Sequence, residues 1–252
     1  MDPKNKTYRA LLSSDWNECL APCGPFDFIS FIYPQLEPQL KGIFKHYTGN
    51  IISLGEAVRR IQKLLPAPVT KKQMDAYLDK SFVTYRGVPE LIEWCLNSDI
   101  LFMINTTGMI GYFQRIFARG LLPHVPVLAA HPMVRYDRHG TDPDYIFDLY
   151  EIKDKFENSG AVLSSFNIPS GKTILMGDSG GDGPHFGWGA KINALLIGSM
   201  IKASLRKYCE HQNIPIQIQF GISYANGSDR DQQKEMQINF MDLVPLIEDF
   251  LV

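Results

Sequence analysis

The feature that most constrains this chain is a glycine-rich turn at residues 177–183, which carries two aspartates, Asp178 and Asp182. The turn directly follows the run Thr173–Met176, which is mostly apolar and bounded by glycines, and which therefore predicts a short buried strand. Carboxylate oxygens suit a hard cation such as Mg²⁺, and glycines let the backbone bring both side chains to one point. The turn thus predicts a magnesium site, the alternative being a solvated loop.

Two other apolar runs also end in polar residues. Residues 10–14 lead directly to Asp15, and residues 100–104 lead to the segment 105–108, which contains two threonines and a glycine. In α/β enzymes, side chains of this kind lie at the carboxyl edge of a parallel sheet. Between these runs and the Asp-rich turn, residues 151–155 supply two lysines and begin a predicted helix.

The alternation of strands and helices predicts an α/β fold with a doubly wound, mostly parallel sheet. We expect four further elements along the chain: a strand or hairpin at 125–136, a helix at 194–208, an edge strand at 214–220 and an amphipathic helix at 240–251. Residues 137–145 predict a polar loop.

Residues 22–84 change from a strand pattern to a helix pattern. Apolar side chains recur at helical spacing over residues 28–36, 52–65 and 74–82, and prolines at 66 and 68 end the second of these helices. The helices form either a module inserted after the first strand or an extension of the main domain.

Composition and charge exclude several classes of protein. The 252 residues are 45% hydrophobic and carry a net charge of −2, which suits an enzyme with a sizeable core and offers no positive field for nucleic acid. No apolar run reaches the ~20 residues needed to span a bilayer, and the first residues do not resemble a signal peptide. The 4 cysteines are scattered, which fits a reducing compartment. We therefore expect a cytoplasmic protein without nucleic-acid or membrane partners, and the sequence predicts no oligomeric state.

The order of the motifs resembles the haloacid dehalogenase (HAD) superfamily of phosphoryl-transfer enzymes, from about residue 8 to residue 190. The motifs are strand–Asp, strand–Thr, Lys and strand–Gly-Asp-x-x-x-Asp. This resemblance implies a Rossmann-like core domain at residues 1–21 plus 85–252 and a helical cap domain at residues 22–84. It also implies a Mg²⁺-dependent phosphatase that acts on a small phosphorylated substrate.

The resemblance assigns a role to each carboxylate. Asp15 would be the nucleophile that forms an aspartyl-phosphate. Asp15, the backbone carbonyl of Asn17 and Asp178 would hold Mg²⁺, and Asp182 would lie beside the metal as a direct ligand or through a water.

The resemblance also assigns the residues that bind the phosphoryl group. Thr106 would hold a phosphoryl oxygen at the end of the threonine strand, with Thr107 as its competitor and Gly108 beside them. Lys155 would neutralise charge, because it lies at the start of the helix that leads to the Asp-rich strand. Two other lysines are alternatives for this role: Lys153 and Lys172.

Asn17 is the main departure from the family pattern. Most phosphatases of this family carry an aspartate two residues after the nucleophile, which protonates the leaving oxygen and later activates water. An amide can do neither, and Glu18 is the nearest carboxyl alternative. The chain is then a slow phosphatase, an enzyme for substrates with good leaving groups, or an enzyme with another proton donor.

Two other functions remain open. The chain could bind phosphorylated ligands with little or no turnover, or it could be a phosphonatase or phosphotransferase of the same fold. A phosphonatase needs a cap lysine that forms a Schiff base. Three lysines of the helical region are candidates: Lys63, Lys71 and Lys72.

The end of the Asp motif points to a subgroup. Within the phosphoserine-phosphatase-like part of the family, residues 183–190 resemble the branch that contains a methionine-salvage phosphatase. His185 would either contact the phosphate or a bound water, or be a structural histidine, which is the more frequent case. We expect Trp188 to belong to the core.

Overall fold

The computed structural model describes residues 6–48 and 51–252. These ranges contain seven strands: β1 Ala10–Ser14, β2 Ile100–Met109, β3 Val127–His131, β4 Tyr145–Asp148, β5 Thr173–Gly177, β6 Leu195–Ser199 and β7 Ile218–Phe220. They form one parallel sheet in the order β4-β3-β2-β1-β5-β6-β7. The predicted α/β fold with a doubly wound parallel sheet is confirmed.

Helices flank the sheet and connect its strands. In the described residues they are α1 Asp27–Ile32, α2 Glu37–Thr48, α3 Leu54–Leu64, α4 Lys71–Ser81, α5 Val88–Asn97, α6 Ile110–Ala118, α7 Asp154–Ser165, α8 Gly183–Lys191, α9 Ala203–His211, α10 Gln232–Glu235 and α11 Val244–Leu251. Single 3-10 turns occur at Pro34–Leu36, Ser170–Lys172, Gly180–Asp182 and Phe240–Leu243. None of the described helices is long and apolar enough to cross a membrane.

Strand β1 lies at the centre of the sheet, where the strand order reverses. Leu12 of β1 pairs with Phe102 of β2 on one side and with Ile174 of β5 on the other. All five residues of β1 are buried, because helices cover both faces of a parallel sheet. Ligands of doubly wound sheets bind beyond the carboxyl ends of the strands at such a reversal. The loops after β1, β2 and β5 therefore share one location.

Several elements differ from the sequence predictions. Residues 195–199 form the buried strand β6, so the helix predicted over 194–208 is wrong in its first part and present as α9 in its second. A short apolar run that is buried on both faces has no period that separates strand from helix. The predicted strand near 125–130 is present as β3, whereas residues 133–136 form no strand and β4 was not predicted.

The helical region contains two of the predicted helices with clear start signals. Helix α3 begins after Ser53, whose side chain accepts a hydrogen bond from the Glu56 N–H. Helix α4 begins with a capping box between Thr70 and Gln73. The first predicted helix is shorter than expected, since α1 ends before Pro34 and the residue ahead of a proline disfavours helical geometry. Helix α2 was not predicted.

One hydrophobic cluster joins the helical region to the sheet. Phe28 of α1 and Leu54 and Ile61 of α3 belong to the same buried cluster as Leu12 of β1 and Phe102 of β2. The division into a core domain and a cap domain stays a prediction.

Candidate active site

Three aspartates meet at the carboxyl edge of the sheet. Asp15 directly follows β1, and its N–H donates to the carbonyl of Met176 in β5 at 2.9 Å. Asp178 and Asp182 lie on the turn after β5. One oxygen of each aspartate lies within 4.8 Å of the others, and all three side chains are buried. Carboxylates this close repel one another, so cations must offset their charge.

Lys155 supplies one of these cations. It belongs to the first turn of α7 and is 1% exposed. Its Nζ lies 2.6 Å from Oδ1 of Asp182 and 3.1 Å from Oδ2 of Asp15. Burial alone would lower the pKa of Lys155, but the charges of Asp15 and Asp182 outweigh burial and raise it. The lysine is therefore a permanent ammonium between two carboxylates.

The other two candidate lysines lie elsewhere. Lys153 is exposed, and its Nζ lies 3.6 Å from Oε1 of Glu157 one helical turn away. The Lys172 Nζ donates to the carbonyl of Leu251 at 2.8 Å. Three lysines were candidates for the role of charge neutralisation. Of these three, Lys155 is the one that the fold brings to the aspartates.

Asp182 holds the turn in place and also pairs with Lys155. Its Oδ2 accepts hydrogen bonds from the N–H groups of Asp178 at 3.0 Å and Ser179 at 3.2 Å, while Oδ1 faces Lys155. A Cβ on Gly177 would lie 2.5 Å from Cγ of Asp182, so the close approach requires glycine there. The glycine at position 177 is thus explained by the packing of the Asp182 carboxylate against the backbone.

A second lysine, which sequence reasoning missed, lies against Asp178. The Lys202 Nζ is 2.7 Å from Oδ2 of Asp178 and also contacts the Glu18 carboxylate. Burial raises the pKa of Asp178 to about 7; Lys202 opposes this rise, and the neighbouring Asp182 and Asp15 add to it. Lys202 precedes α9, and nothing in its local sequence marks it as a site residue.

The Glu18 carboxylate forms two ion pairs. It contacts Lys202, and its Oε1 lies 2.7 Å from the Arg230 guanidinium, which also donates to the Glu18 carbonyl at 3.2 Å. Burial would raise the pKa of Glu18, but the charges of Lys202 and Arg230 outweigh burial and lower it. Glu18 is therefore ionised and holds no proton for a leaving group.

Asn17, on the loop after β1, faces Thr106 near the end of β2. The Thr106 hydroxyl donates to Oδ1 of Asn17 at 3.2 Å and accepts from the Gly108 N–H at 3.1 Å. The Asn17 amide donates to the carbonyl of Cys23 at 3.2 Å. Both ends of the Asn17 side chain are thus engaged, and the Thr106 hydroxyl is oriented beside it.

The helical region contributes a hydroxyl to the same place. Tyr47 of α2 is buried, and a Cβ on Gly181 would lie 3.9 Å from its hydroxyl. Burial raises the pKa of Tyr47 to about 12, while the hydroxyl of Thr107 and the charge of Lys155 favour its ionised form. Tyr47 is therefore a neutral phenol close to the Asp-rich turn, and sequence reasoning did not identify it.

His185 is part of the support beneath the site. Its Nε2 lies 3.0 Å from the Ser159 hydroxyl, and its ring stacks on Trp188 with centroids 5.9 Å apart. Burial and the charge of Lys155 lower the pKa of His185 to about 3, so its ring is neutral. These contacts favour the structural interpretation of this histidine.

The donor set fits a hard cation. Three buried carboxylates present oxygens to one point, and oxygen ligands are those that Mg²⁺ prefers. The Asp178 Oδ2 pairs with the Lys202 ammonium at 2.7 Å, and since a carboxylate has about four lone-pair sites, this contact leaves the group able to bind a cation as well.

Comparison with known proteins establishes the fold. No protein-family model and no curated protein matches the chain by sequence. A phosphoserine phosphatase structure matches it with a TM-score of 0.65 at 14% identity, covering 95% of this chain and 99% of that chain. A HAD family hydrolase from Salmonella enterica subsp. enterica serovar Typhi matches with a TM-score of 0.65 at 17% identity, covering 98% of this chain and 74% of that chain.

A third solved structure with this fold is cytosolic 5'-nucleotidase IIIB bound to cytidine. It has a TM-score of 0.60 at 12% identity and covers 96% of this chain and 85% of that chain. The likeness to the HAD superfamily that the sequence motifs indicated is thus confirmed at the level of the fold.

Proposed function

We propose that this chain is a HAD-superfamily phosphatase that hydrolyses a small phosphorylated substrate through an aspartyl-phosphate on Asp15. The observation that supports this most is the buried Lys155 ammonium, which contacts Asp15 and Asp182 where the strand order reverses. Phosphoryl transfer depends mainly on positioning and charge neutralisation, which this arrangement provides. The similar phosphoserine phosphatase structure is described as a phospho-aspartyl intermediate analogue, and we assign the same chemistry to Asp15.

In the proposed reaction the Asp15 carboxylate attacks phosphorus. The bond between phosphorus and the leaving oxygen breaks, and its electron pair stays on that oxygen. Lys155 offsets the charge of the nucleophile, and Thr106, Thr107 and Gly108 form the end of β2 that faces the phosphoryl oxygens. Water then attacks the phosphoryl group, which releases phosphate and restores Asp15.

Asp15, Asp178 and the backbone carbonyl of Asn17 would hold Mg²⁺, with Asp182 beside it. When bound, the cation offsets the repulsion between a carboxylate and a phosphate dianion. Asp182 keeps the turn and Lys155 in position through the hydrogen bonds of its two oxygens.

A second candidate function is binding of phosphorylated ligands without turnover. Asn17 favours it, because an amide cannot protonate a leaving oxygen and the adjacent Glu18 is ionised and paired. A phosphonatase is disfavoured, since its Schiff-base lysine is normally desolvated. All three candidate lysines of the helical region are exposed: Lys63, Lys71 and Lys72.

The free cysteines of the chain agree with a cytoplasmic location, which we also propose.

The deciding experiment compares the wild type with Asp15→Asn on a panel of phosphate esters that includes acetyl phosphate, with and without Mg²⁺. We expect the substitution to lower turnover by roughly 10³-fold or more, because it removes the nucleophile. A phosphorylated wild-type protein that releases its label to hydroxylamine would identify the acyl phosphate. Asp137→Asn, in an exposed loop, is the matched control. Equal turnover in the wild type and Asp15→Asn would contradict the proposal.

A further inference from the structure

A polar cluster lies buried between the sheet and the helices α7 and α8. Asn105 of β2 lies at its centre, with Nδ2 at 3.1 Å from the hydroxyl oxygens of both Ser13 in β1 and Ser159 in α7. The Ser159 hydroxyl in turn lies 3.1 Å from that of Ser13 and 3.0 Å from Nε2 of His185 in α8. All four side chains are at most 2% exposed. We refer to these four residues as the polar cluster.

The polar cluster interrupts an apolar surface. Side chains two residues apart on a strand point to the same face, so Ser13 shares its face of β1 with Leu11. For the same reason Asn105 shares its face of β2 with Met103. Leu11, Met103 and Val162 of α7 belong to one buried hydrophobic cluster. The polar side chains thus occupy places where apolar core residues would fit.

Burial of the polar cluster has a cost that an apolar core would avoid. Replacing a buried polar network by apolar side chains of similar volume is often neutral or stabilising. In the described part of the chain, Oδ1 of Asn105 is buried without a hydrogen-bond partner, so this acceptor has lost its hydration without compensation. Stability therefore does not account for the polar cluster, which points to a role in placing a neighbouring group.

The neighbouring group is the first turn of α7. The Asn105 Nδ2 also donates to the backbone carbonyl of Lys155 at 2.8 Å, and Ser159 lies one turn further along the same helix. Hydrogen bonds weaken steeply when they are misaligned, whereas the hydrophobic effect has no direction. The polar cluster therefore fixes the register of two successive turns of α7 against β1 and β2.

The register of α7 decides where the Lys155 ammonium lies. A helix advances by about 1.5 Å per residue, so even a small slide would carry Nζ away from its partners. These partners are Asp182 at 2.6 Å and Asp15 at 3.1 Å. Since Lys155 is 1% exposed, packing leaves its side chain little freedom to compensate for a shifted backbone. A misplacement of about 1 Å can cost about 10²-fold in rate.

We infer that Asn105, together with the polar cluster, is a positioning residue that holds the Lys155 ammonium between Asp15 and Asp182. This inference rests on the proposed phosphatase function, in which Lys155 offsets the charge of the nucleophile. Asn105 acts through the backbone of Lys155 and needs no contact with the substrate. A buried amide on β2 thus sets the charge balance of a carboxylate at the end of the neighbouring strand.

The kinetic test compares Asn105→Leu with Gln114→Leu, because both replace a buried amide by an apolar side chain of similar size. Gln114 lies in α6, and its Nε2 donates to the Asp142 carboxylate at 2.8 Å. Both variants should lower the Tm, since both lose buried hydrogen bonds. We expect only Asn105→Leu to lower kcat for acetyl phosphate with Mg²⁺, by roughly 10–100-fold. Wild-type kcat in Asn105→Leu, or an equal loss in both variants, would overturn the inference.

A spectroscopic test follows the ammonium itself. Protons of a buried, paired ammonium exchange slowly with water, so Lys155 should give its own ¹H–¹⁵N signal, identified by its absence in Lys155→Arg. We expect Asn105→Leu to shift or broaden this signal and Gln114→Leu to leave it unchanged. An unchanged signal in Asn105→Leu would overturn the inference even if turnover fell, because the fall would then come from the adjacent Thr106.

A second variant tests the polar cluster from the side of α7. Ser159→Ala removes a hydroxyl of the cluster that is far from Thr106 in sequence, and it keeps the test decisive if Asn105→Leu does not fold. We expect kcat to fall by roughly three- to ten-fold, and the double variant to fall no further than Asn105→Leu, because both act through one helix turn. Ser164→Ala, which removes a hydroxyl that donates to the Gly160 carbonyl in the same helix, is the control. Wild-type kcat in Ser159→Ala, or losses that multiply in the double variant, would contradict a cluster that acts as a unit.

The ammonium signal separates this inference from the proposed function. No turnover of any ester by the wild type, and no phosphorylation of Asp15, would overturn the phosphatase function. A Lys155 signal that still moves in Asn105→Leu would then support the positioning role of Asn105 by itself.

Discussion

At the scale of single residues, the site depends on how charge is balanced in a buried place. Asp15, Asp178 and Asp182 are all less than a tenth exposed, and each is within 3.1 Å of a lysine ammonium. Removing one partner of such a pair leaves the other charge buried and unpaired, which costs more than the pair itself contributes. The two lysines therefore determine which carboxylates are available to a cation or a phosphate.

Asp178 should make Mg²⁺ binding depend on pH. The pKa of Asp178 is raised to about 7, chiefly by burial. Above pH 7 the Asp178 carboxylate is ionised and can bind the cation directly. Below pH 7 the carboxyl is mostly protonated, and the cation must displace this proton. The apparent affinity for Mg²⁺ should therefore fall about ten-fold per pH unit below 7. We expect Mg²⁺ to raise the Tm more at pH 8 than at pH 6, as measured by thermal unfolding.

The control for this prediction is Asp178→Asn, which removes the titrating group. The Mg²⁺-induced shift in Tm should then be small at both pH values, while Asp137→Asn should behave as the wild type. The same shift at pH 6 and pH 8 in the wild type would show that Asp178 does not bind the cation.

Asn17→Asp should restore a general acid. We expect turnover to rise by ~10²–10⁴-fold for alkyl phosphates and less for aryl phosphates, which need little protonation of the leaving oxygen. The aspartate keeps the acceptor for Thr106 but loses the donor to the Cys23 carbonyl, so stability should fall by about 1–3 kcal/mol. Steady-state kinetics on matched ester pairs measures the first effect and chemical denaturation the second.

If another residue already supplies the proton, Asn17→Asp will leave alkyl ester turnover unchanged or lower it, because an added carboxylate repels phosphate. Unchanged rates together with no stabilisation by phosphorylated ligands would contradict both the phosphatase and the binding function.

At the scale of elements, the loop after β1 is held by the C-terminal part of the chain. Glu18 has a left-handed backbone with φ of 59°, which is strained for a residue with a side chain. Arg230 pairs with Glu18 and with the fully buried Glu235, at 2.7 and 2.8 Å. Glu235 also accepts a hydrogen bond from the Tyr85 hydroxyl at 2.8 Å. Residues near the C-terminal end of the sequence thus hold the loop after β1 in its strained conformation.

Arg230→Met should therefore disturb the site from a distance. We expect a loss of about 3–5 kcal/mol in the free energy of unfolding, because the substitution leaves Glu235 buried without its cation. Turnover of the surviving folded protein should fall while its KM changes little, since the loop that carries Asn17 and Glu18 loses its support.

The control is Arg59→Met, which removes an exposed pair with Glu56 and should leave the free energy of unfolding almost unchanged. Arg230→Lys should recover part of the turnover by restoring the charge. A destabilised Arg230→Met protein with wild-type kcat would show that the network supports only the fold.

At the scale of the whole molecule, polar contacts join the helical region to the segments that connect the strands of the sheet. The Glu151 Oε1 accepts from the Ser53 hydroxyl at 2.8 Å and from the Gly55 N–H at 3.1 Å, at the start of α3. A carboxylate there satisfies a free N–H and interacts favourably with the helix dipole. On the other side, Arg115 of α6 forms a two-pronged contact with Asp75 of α4.

Glu151→Ala should loosen the helical region. We expect a loss of about 0.5–2 kcal/mol and faster amide hydrogen exchange in α3, because the helix loses an acceptor at its N-terminus. Glu157→Ala, which removes an exposed carboxylate on α7, is the control. Equal exchange of α3 in both variants would show that Glu151 does not hold the helical region to the sheet.

The sequence by itself determined the features that depend on neighbours along the chain. The buried strands that carry Thr106 or lead to Asp15 and Asp178 were predictable because each short apolar run ends at a polar residue or a glycine. The order of these motifs identified the fold and the residues that meet at one edge of the sheet, since parallel strands place their carboxyl ends together. Helical spacing over residues 52–65, ended by the prolines at 66 and 68, located α3 to within about two residues, and the spacing over 74–82 located α4 to within about three.

Only the tertiary structure decided which residues contact one another across long distances. It placed Lys155 at the aspartates and Lys153 in solvent, although two positions separate them, because neighbouring positions on a helix face different directions. It also brought Lys202 and Arg230 to the loop after β1, with 184 and 212 residues separating Glu18 from these two partners. The residues around a lysine in the sequence do not show whether its side chain is solvated or buried. Its burial and its charged neighbours depend on how the helices and strands pack together. That is why the cations of the site could not be assigned before the fold was known.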